Sequence, residues 1–127
     1  LVPPSLYPGD FQDLALWRAF TRDAVLDAAA GHRGAIVVPM TVAHPEYFDQ
    51  IVGAIRERVP VSHFTLMASR EEILRREAAR PDDIGGWAAK TVDRALPELA
   101  SSRYAEHLDT DGHAVPDIVE QIRRRIE

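Results

Sequence analysis

Short apolar runs alternate with amphipathic segments along the chain, and this order constrains the fold more than any other feature of the sequence. Residues 35–38 (AIVV) form an uninterrupted apolar run that ends at Pro39. Such a run is typical of a strand buried on both faces, as in a parallel sheet. Residues 61–68 and 104–108 are predicted to form two further strands. Because helical segments separate the strands, we expect parallel pairing through right-handed crossovers, which defines an α/β fold.

Helical periodicity predicts five helices around these strands. They cover residues 11–30, a segment that starts at Pro45, residues 70–80, residues 87–99 with an interruption before Pro97, and residues 116–126. Asp10 is expected to cap the first helix, and Ser69 with Glu72 has the spacing of a capping box for the third. Three strands are few for an open sheet with this many helices, so we expect further elements to belong to the fold.

The composition is that of one mildly acidic, soluble domain. The chain has 127 residues, and we predict that 1–127 form a single domain. Its formal net charge of −5 argues against nucleic-acid binding, which needs a basic face. No apolar run approaches the roughly 20 residues that span a bilayer, and no signal peptide is visible, so we expect a cytoplasmic protein. The sequence leaves the oligomeric state open.

Metal and thiol chemistry are not indicated. The chain has no cysteine, which excludes disulfides, thiolate metal sites and cysteine nucleophiles. Its five histidines show no metal-ligand spacing, so no metal site is predicted. His63 and His107 lie within predicted strands, where a hydrogen-bonded structural histidine outweighs a ligand by about four to one.

The first candidate for chemistry is the acidic start of the first predicted helix, at residues 10–13 (DFQD). A turn that leads into a helix offers free backbone N–H groups, with the carboxylates of Asp10 and Asp13 beside them. These carboxylates could orient an acceptor hydroxyl or act as its base, since phosphoryl transfer needs a positioned nucleophile more than a strong one. Plain helix capping is the alternative, and we weight it about two to one over chemistry.

The second candidate is a group of arginines in the segment 75–94, which we consider a lid. The group consists of Arg75, Arg76, Arg80 and Arg94. Their guanidinium groups could stabilise charge on a transferring phosphoryl group, and the PDDIGG sequence at 81–86 suits a hinge. Arg75 and Arg76 also stand four residues after a glutamate, as on an ordinary solvated helix. That structural interpretation leads for Arg75 and is evenly matched for the other three.

The third candidate is the turn at residues 109–112 (DTDG), directly after a predicted strand. Ligands of open α/β sheets collect at the carboxyl ends of strands, so this turn is expected at the functional edge. The segments 39–41 and 69–70 should lie on the same edge. An Asx-type turn that closes the strand would account for the same residues without any ligand.

The phosphate-binding motif of kinases is absent from the sequence. There is no G-x-x-x-x-G-K-[ST], and Lys90 is the only lysine. Even so, the order of the elements and the placement of the arginines suit a P-loop kinase-like fold. The chain starts at Leu1 without an initiator methionine. We therefore expect that a first strand and a phosphate loop lay upstream of residue 1.

Several segments together resemble the tunicamycin-resistance (ATP-binding, AAA-type) family of P-loop proteins. These are 8–14 (PGDFQDL), 16–18 (LWR), 38–41 (VPMT), 45–48 (PEYF), 63–66 (HFTL), 68–71 (ASRE), 74–76 (LRR), 92–94 (VDR) and 106–111 (EHLDTD). The resemblance covers nearly the whole chain, and DFQD and HLDTD are its more specific parts. It implies a three-layer P-loop NTPase fold of the nucleoside-monophosphate-kinase type, with helices on both faces of a parallel sheet.

The resemblance also implies functional residues. It implies binding of ATP with Mg²⁺, which would require the missing phosphate loop. Among the lid arginines, Arg76, Arg80 and Arg94 would contact phosphates and take part in catalysis, with Arg76 and Arg80 binding the nucleotide. The turn residues near the adenine would be Thr110, Asp111 and Gly112.

On the acceptor side, the resemblance points to the helix start and two further residues. Asp10 and Asp13 would be catalytic, and the acceptor-binding set would be Asp10, Phe11, Gln12, Asp13, Arg18 and Thr41. The leading hypothesis is a resistance protein that transfers a phosphoryl group from ATP to a hydroxyl of a nucleoside-type small molecule such as tunicamycin. A drug-sequestering protein without chemistry and a generic small-molecule or nucleotide kinase are the alternatives.

Overall fold

The computed structural model describes residues 10–80 and 87–126. The chain divides after Val61 into two compact units. We call residues 10–61 the N-terminal unit and the described residues from Ser62 onwards the C-terminal unit.

The N-terminal unit is helical. A single 3-10 turn, Phe11–Asp13, precedes helix α1, Ala15–Gly31. The sequence predicts one continuous helix here, but Leu14 is extended and separates the two pieces. The second predicted helix begins at Pro45 as expected, because proline suits the first turn of a helix. It runs as α2, Pro45–Phe48, a π-helical segment, Asp49–Gly53, and α3, Ala54–Arg56.

The core of this unit comes from the second helical region and the chain just before it. Its buried apolar residues are Val42, Ala43, Phe48, Ile51 and Ile55. Helix α1 packs against the π-helical segment and α3. None of its own residues is fully buried, and it leaves Leu16 and Phe20 exposed.

The predicted strand at residues 35–38 is wrong as a strand in this structure. The segment pairs with no strand among the described residues, and all of its side chains are exposed, with Val37 at 85%. An extended segment becomes a strand only through ladder hydrogen bonds to a neighbour. The apolar run favours an extended chain here but does not supply that neighbour.

The C-terminal unit contains a small parallel sheet with helices between and after its strands. Its elements are β1 (Thr65–Met67), α4 (Arg70–Ala78), α5 (Trp87–Leu99), a 3-10 turn (Ser102–Tyr104), β2 (His107–Asp109) and α6 (Val115–Ile126). Thr65 is aligned with His107 and Met67 with Asp109 in a parallel pair. The predicted parallel pairing is therefore confirmed for these strands, although both are shorter than predicted. Helix α5 continues through Pro97, where the sequence predicted an interruption.

The sheet of the C-terminal unit is held by burial and by side-chain bonds to the backbone. Tyr104 is fully buried, Leu108 and Ile118 are nearly so, and the Thr65 hydroxyl donates to the Tyr104 carbonyl at 2.7 Å. The two predicted structural histidines also bond to backbone. A ring N–H of His63 donates to the Ala105 carbonyl at 3.1 Å, and one of His107 donates to the Leu99 carbonyl at 2.6 Å.

Two searches of the described residues complete the fold. No helix in 10–80 or 87–126 is long and apolar enough to cross a bilayer. Within the same ranges, no three histidine, aspartate or glutamate side chains are grouped so that they could hold a metal ion.

Candidate functional site

The structure gathers most of the predicted acceptor-side residues in the N-terminal unit. We call them, with one neighbour, the Asp13 cluster: Gln12, Asp13, Arg18, Thr41 and Tyr47. The Gln12 amide donates to the Thr41 carbonyl at 2.6 Å, which connects the 3-10 turn to the chain before α2. Thr41 therefore contributes its backbone, and its side chain is exposed.

Arg18 is the centre of this cluster. Its Nη1 donates to the Gln12 carbonyl at 2.6 Å and its Nε to the Gln50 amide oxygen at 2.6 Å. The guanidinium carbon also lies 4.2 Å from the centroid of the Tyr47 ring, within the range of a cation–π contact. One arginine on α1 thus fixes the 3-10 turn against α2 and the π-helical segment.

The Asp13 carboxylate is bound by a phenol. The Tyr47 hydroxyl donates to Asp13 Oδ1 at 2.5 Å, the short distance that an ionised acceptor favours. This hydrogen bond is the largest cause of a raised pKa of Tyr47, so the phenol stays protonated and remains a donor. Asp13 itself is exposed on the surface of the unit, where a small molecule can reach it.

Asp10 behaves as the helix-capping interpretation predicts. Its side chain accepts from the Gln12 backbone N–H at 2.9 Å and so caps the 3-10 turn. Phe11 is exposed at 54%, which leaves its ring available on the same surface. The capping observed for Asp10 weakens its case as a catalytic base and leaves Asp13 the stronger of the two.

A second cluster lies at the carboxyl ends of β1 and β2 in the C-terminal unit. We call it the Arg76 cluster: Ser69, Glu72, Arg76, Thr110 and Asp111. Thr110 is almost fully buried, and its hydroxyl donates to the Met67 carbonyl at 2.9 Å. Arg76 completes the bonding of Thr110 from α4, donating to its hydroxyl oxygen at 3.0 Å and to its carbonyl at 3.2 Å.

The capping box predicted for α4 is only half formed. The Ser69 hydroxyl accepts from the Glu72 backbone N–H at 3.2 Å, as expected. The Ser69 N–H, however, donates to the carboxylate of Asp111 at 3.1 and 3.2 Å instead of to Glu72. Asp111 therefore ties the turn after β2 to the start of α4. Gly112 follows with a φ of +70°, a conformation that glycine adopts without strain.

The Glu72 carboxylate binds two arginines and does not accept from the Ser69 N–H. Arg75 donates to it at 2.8 and 2.5 Å, and Arg76 donates at 2.8 Å. These hydrogen bonds, first from Arg75 and then from Arg76, lower the pKa of the Glu72 carboxyl to about 2. The sequence paired Arg75 with Glu71, and the structure corrects that partner to Glu72, three residues away.

The other two lid candidates, Arg80 and Arg94, are exposed. Arg80 donates to Glu77 of its own helix at 3.2 Å and is exposed. Arg94 is exposed on α5, and its neighbour Asp93 accepts from Arg70 at 2.6 Å, which joins α5 to α4. Residues 81–86, the centre of the predicted hinge, lie outside the described residues.

The sequence names most members of both clusters but gives no role to Tyr47, or to Gln50, which binds Arg18 beside the Asp13 cluster. Tyr47 and Gln50 carry no motif that marks them, because their role depends on Arg18 approaching from another helix. The resemblance includes Tyr47 in the PEYF segment without giving it a role. In the C-terminal unit, Ser69 was expected as a cap, and its bond to Asp111 appears only in the folded chain.

A stability comparison separates Arg76 from Arg80. We expect Arg76→Ala to lower the free energy of unfolding by about 1–3 kcal/mol, because it removes the charged donor to the buried Thr110 and one of the two arginines that bind Glu72. Arg80→Ala should change it by less than about 0.5 kcal/mol, since the Arg80 side chain is exposed and pairs with Glu77 on the surface of α4. Urea unfolding of both variants measures the difference. Equal stability of the two variants would contradict a structural role for Arg76.

The parallel pair of β1 and β2, with helices between them, places the protein in the α/β class. Among solved structures, it is similar to the tunicamycin resistance protein of Deinococcus radiodurans, with a TM-score of 0.77 and 27% sequence identity over 93% of this chain and 69% of that one. Comparison with protein families and with curated sequences gives no match. The resemblance read from the sequence is therefore supported at the level of the fold.

Proposed function

We propose that this protein confers resistance to a nucleoside-type antibiotic such as tunicamycin, and that it does so by transferring a phosphoryl group from ATP to a hydroxyl of the drug. The observation that carries the proposal is the similarity in fold to the Deinococcus radiodurans tunicamycin resistance protein over 93% of the chain. We further propose a three-layer, P-loop kinase-like architecture for the protein. In that architecture, a G-x-x-x-x-G-K-[ST] loop would hold the triphosphate.

The Asp13 cluster supplies the acceptor side of this proposal. Asp13 is an exposed carboxylate whose orientation is held by Tyr47. In the proposed reaction, the drug hydroxyl gives its proton to Asp13 while its oxygen forms a bond to the γ-phosphorus. The bond from that phosphorus to the β,γ-bridging oxygen breaks, and ADP leaves. The remaining acceptor-binding residues would be Asp10, Phe11, Gln12, Arg18 and Thr41.

The position of the Arg76 cluster suits a nucleotide-binding site. Ser69, Thr110 and Asp111 follow the carboxyl ends of β1 and β2, the edge at which α/β proteins bind ligands. Thr110, Asp111 and Gly112 would adjoin the adenine, and Arg76, Arg80 and Arg94 would hold phosphates. ATP would supply the transferred group, and Mg²⁺ would arrive with it.

A second candidate function is sequestration of the drug without chemistry. The observation in its favour is the structural use of the acidic residues: Asp10 caps the 3-10 turn, and Asp13 accepts from Tyr47. Both carboxylates would then shape a binding surface, and neither would be needed for turnover.

Acceptor-dependent release of ADP tests the two candidates directly. The full-length protein is incubated with ATP and Mg²⁺, with and without tunicamycin, and ADP is measured alongside drug binding by calorimetry. Phosphoryl transfer predicts ADP release that saturates with the drug. Saturable binding without ADP release would establish sequestration instead, and the absence of both would contradict the resistance role.

A further inference from the structure

We propose that Tyr47 is a positioning residue for Asp13: its phenol holds the carboxylate in one orientation, so that an acceptor hydroxyl meets a fixed oxygen. This inference rests on the proposed function, because it concerns the carboxylate that would take the acceptor proton. It adds a residue for which neither the DFQD motif nor the arginine pattern gives a role.

The geometry of the hydrogen bond between Tyr47 and Asp13 suits a role in orienting the carboxylate. The phenol oxygen lies 2.5 Å from Asp13 Oδ1, and the two residues are 34 positions apart in the chain. Asp13 is the last residue of the short 3-10 turn. The hydrogen bond therefore joins the carboxylate to a side chain from another element, α2.

Tyr47 is itself held on several sides. It lies in the first turn of α2, next to Phe48, which is 3% exposed and anchors the helix in the core. The Arg18 guanidinium covers one part of the ring at 4.2 Å from its centroid. The ring of His44 lies 4.7 Å away, tilted by 48°. A phenol held in this way is preorganised, and that is what a positioning residue needs.

The charged and titratable groups around the phenol come from three elements and from the chain before α2. Asp13 belongs to the 3-10 turn, Arg18 to α1 and Glu46 to α2, and His44 lies just before α2. The hydrogen bond to Asp13 outweighs the opposing charge of Arg18, so the pKa of Tyr47 is raised. The same hydrogen bond acts on Asp13, because a donor to a carboxylate favours the ionised form of that carboxyl group.

Removing only the hydroxyl tests the inference. In Tyr47→Phe, the ring that contacts Arg18 and His44 remains, while the donor to Asp13 is lost. We expect kcat for drug phosphorylation to fall about 10- to 100-fold with a smaller change in KM. The acid limb of the pH–kcat profile should move to higher pH, because the Asp13 carboxylate loses the hydrogen bond that the Tyr47 hydroxyl donates to it.

Tyr104→Phe is the matched control, since it removes a bond of the same kind elsewhere. The Tyr104 hydroxyl donates to Glu98 at 2.8 Å within the C-terminal unit. This variant should lose stability and keep the wild-type acid limb. Wild-type turnover with an unmoved acid limb in Tyr47→Phe would overturn the positioning role and leave the proposed function standing. Wild-type protein without drug-dependent ADP release would overturn the proposed function itself.

Discussion

Asp13→Asn is expected to lower drug-dependent turnover by about 100- to 10,000-fold, the usual contribution of a positioned general base. Asparagine has nearly the same shape, and its amide oxygen can still accept from the Tyr47 hydroxyl. The amide cannot take up the acceptor proton, however. The variant should therefore bind tunicamycin with near wild-type affinity while releasing almost no ADP. Steady-state ADP release and calorimetry on the same preparations measure the two properties separately.

Asp23→Asn provides the matched control for this substitution. Asp23 is an exposed aspartate of α1 whose carboxylate pairs with Arg22 at 2.8 Å and which is not a member of the Asp13 cluster. The Arg22 hydrogen bond lowers the pKa of Asp23, so this control also removes an ionised carboxylate. Its turnover should stay within about twofold of wild type, as for a surface substitution. Full turnover by Asp13→Asn would show that Asp13 is not the base.

The neighbouring carboxylate can be judged by the same substitution. Asparagine caps helices about as well as aspartate, so Asp10→Asn preserves the bond to the Gln12 N–H. If Asp10 only caps, this variant should match wild type in both stability and turnover. The comparison of Asp10→Asn with Asp13→Asn therefore distinguishes helix capping from action as a base, which the sequence alone does not distinguish.

Local sequence signals predicted the helices and the strand pairing well. Pro45 begins α2, Ser69 caps α4, and the apolar runs around Thr65 and Leu108 pair in parallel. The two helix starts are determined by a few adjacent residues, a proline at the first turn and a hydroxyl three residues before a free N–H. The strand pairing follows instead from the alternation of strands and helices along the chain. Sequence periodicity is informative where the cause of the structure is local.

The remaining features depend on contacts between distant residues, which periodicity does not contain. Arg76 looks like a phosphate ligand in the sequence, but in the folded chain it reaches Thr110, 34 residues away. Ser69 gives its N–H to Asp111, 42 residues away, and the capping box is left half formed. The same holds for Tyr47, whose partner Asp13 comes from the 3-10 turn. The sequence shows the residue types of these side chains, but it does not show which distant residues they bind.

Ile51→Ala should be the most destabilising of the single substitutions considered, lowering the free energy of unfolding by about 2–5 kcal/mol. Ile51 is 0% exposed and lies in the π-helical segment that packs against α1. Truncation removes three carbons from a closed core and leaves a cavity that the helices only partly refill. The urea midpoint should fall with an unchanged m-value, which marks a loss of stability without a change in the unfolded state.

Val37→Ala is the contrasting variant, because the apolar run at residues 35–38 predicts that Val37 is buried as well. Val37 belongs to the AIVV run, yet it is 85% exposed and pairs with no strand in the part of the chain that the structure describes. Its truncation should therefore change the free energy of unfolding by less than about 0.5 kcal/mol. A loss above about 1.5 kcal/mol would mean that residues 35–38 are buried in solution, as their β-branched side chains predict. The size of this one effect thus decides between the sequence pattern and the observed exposure.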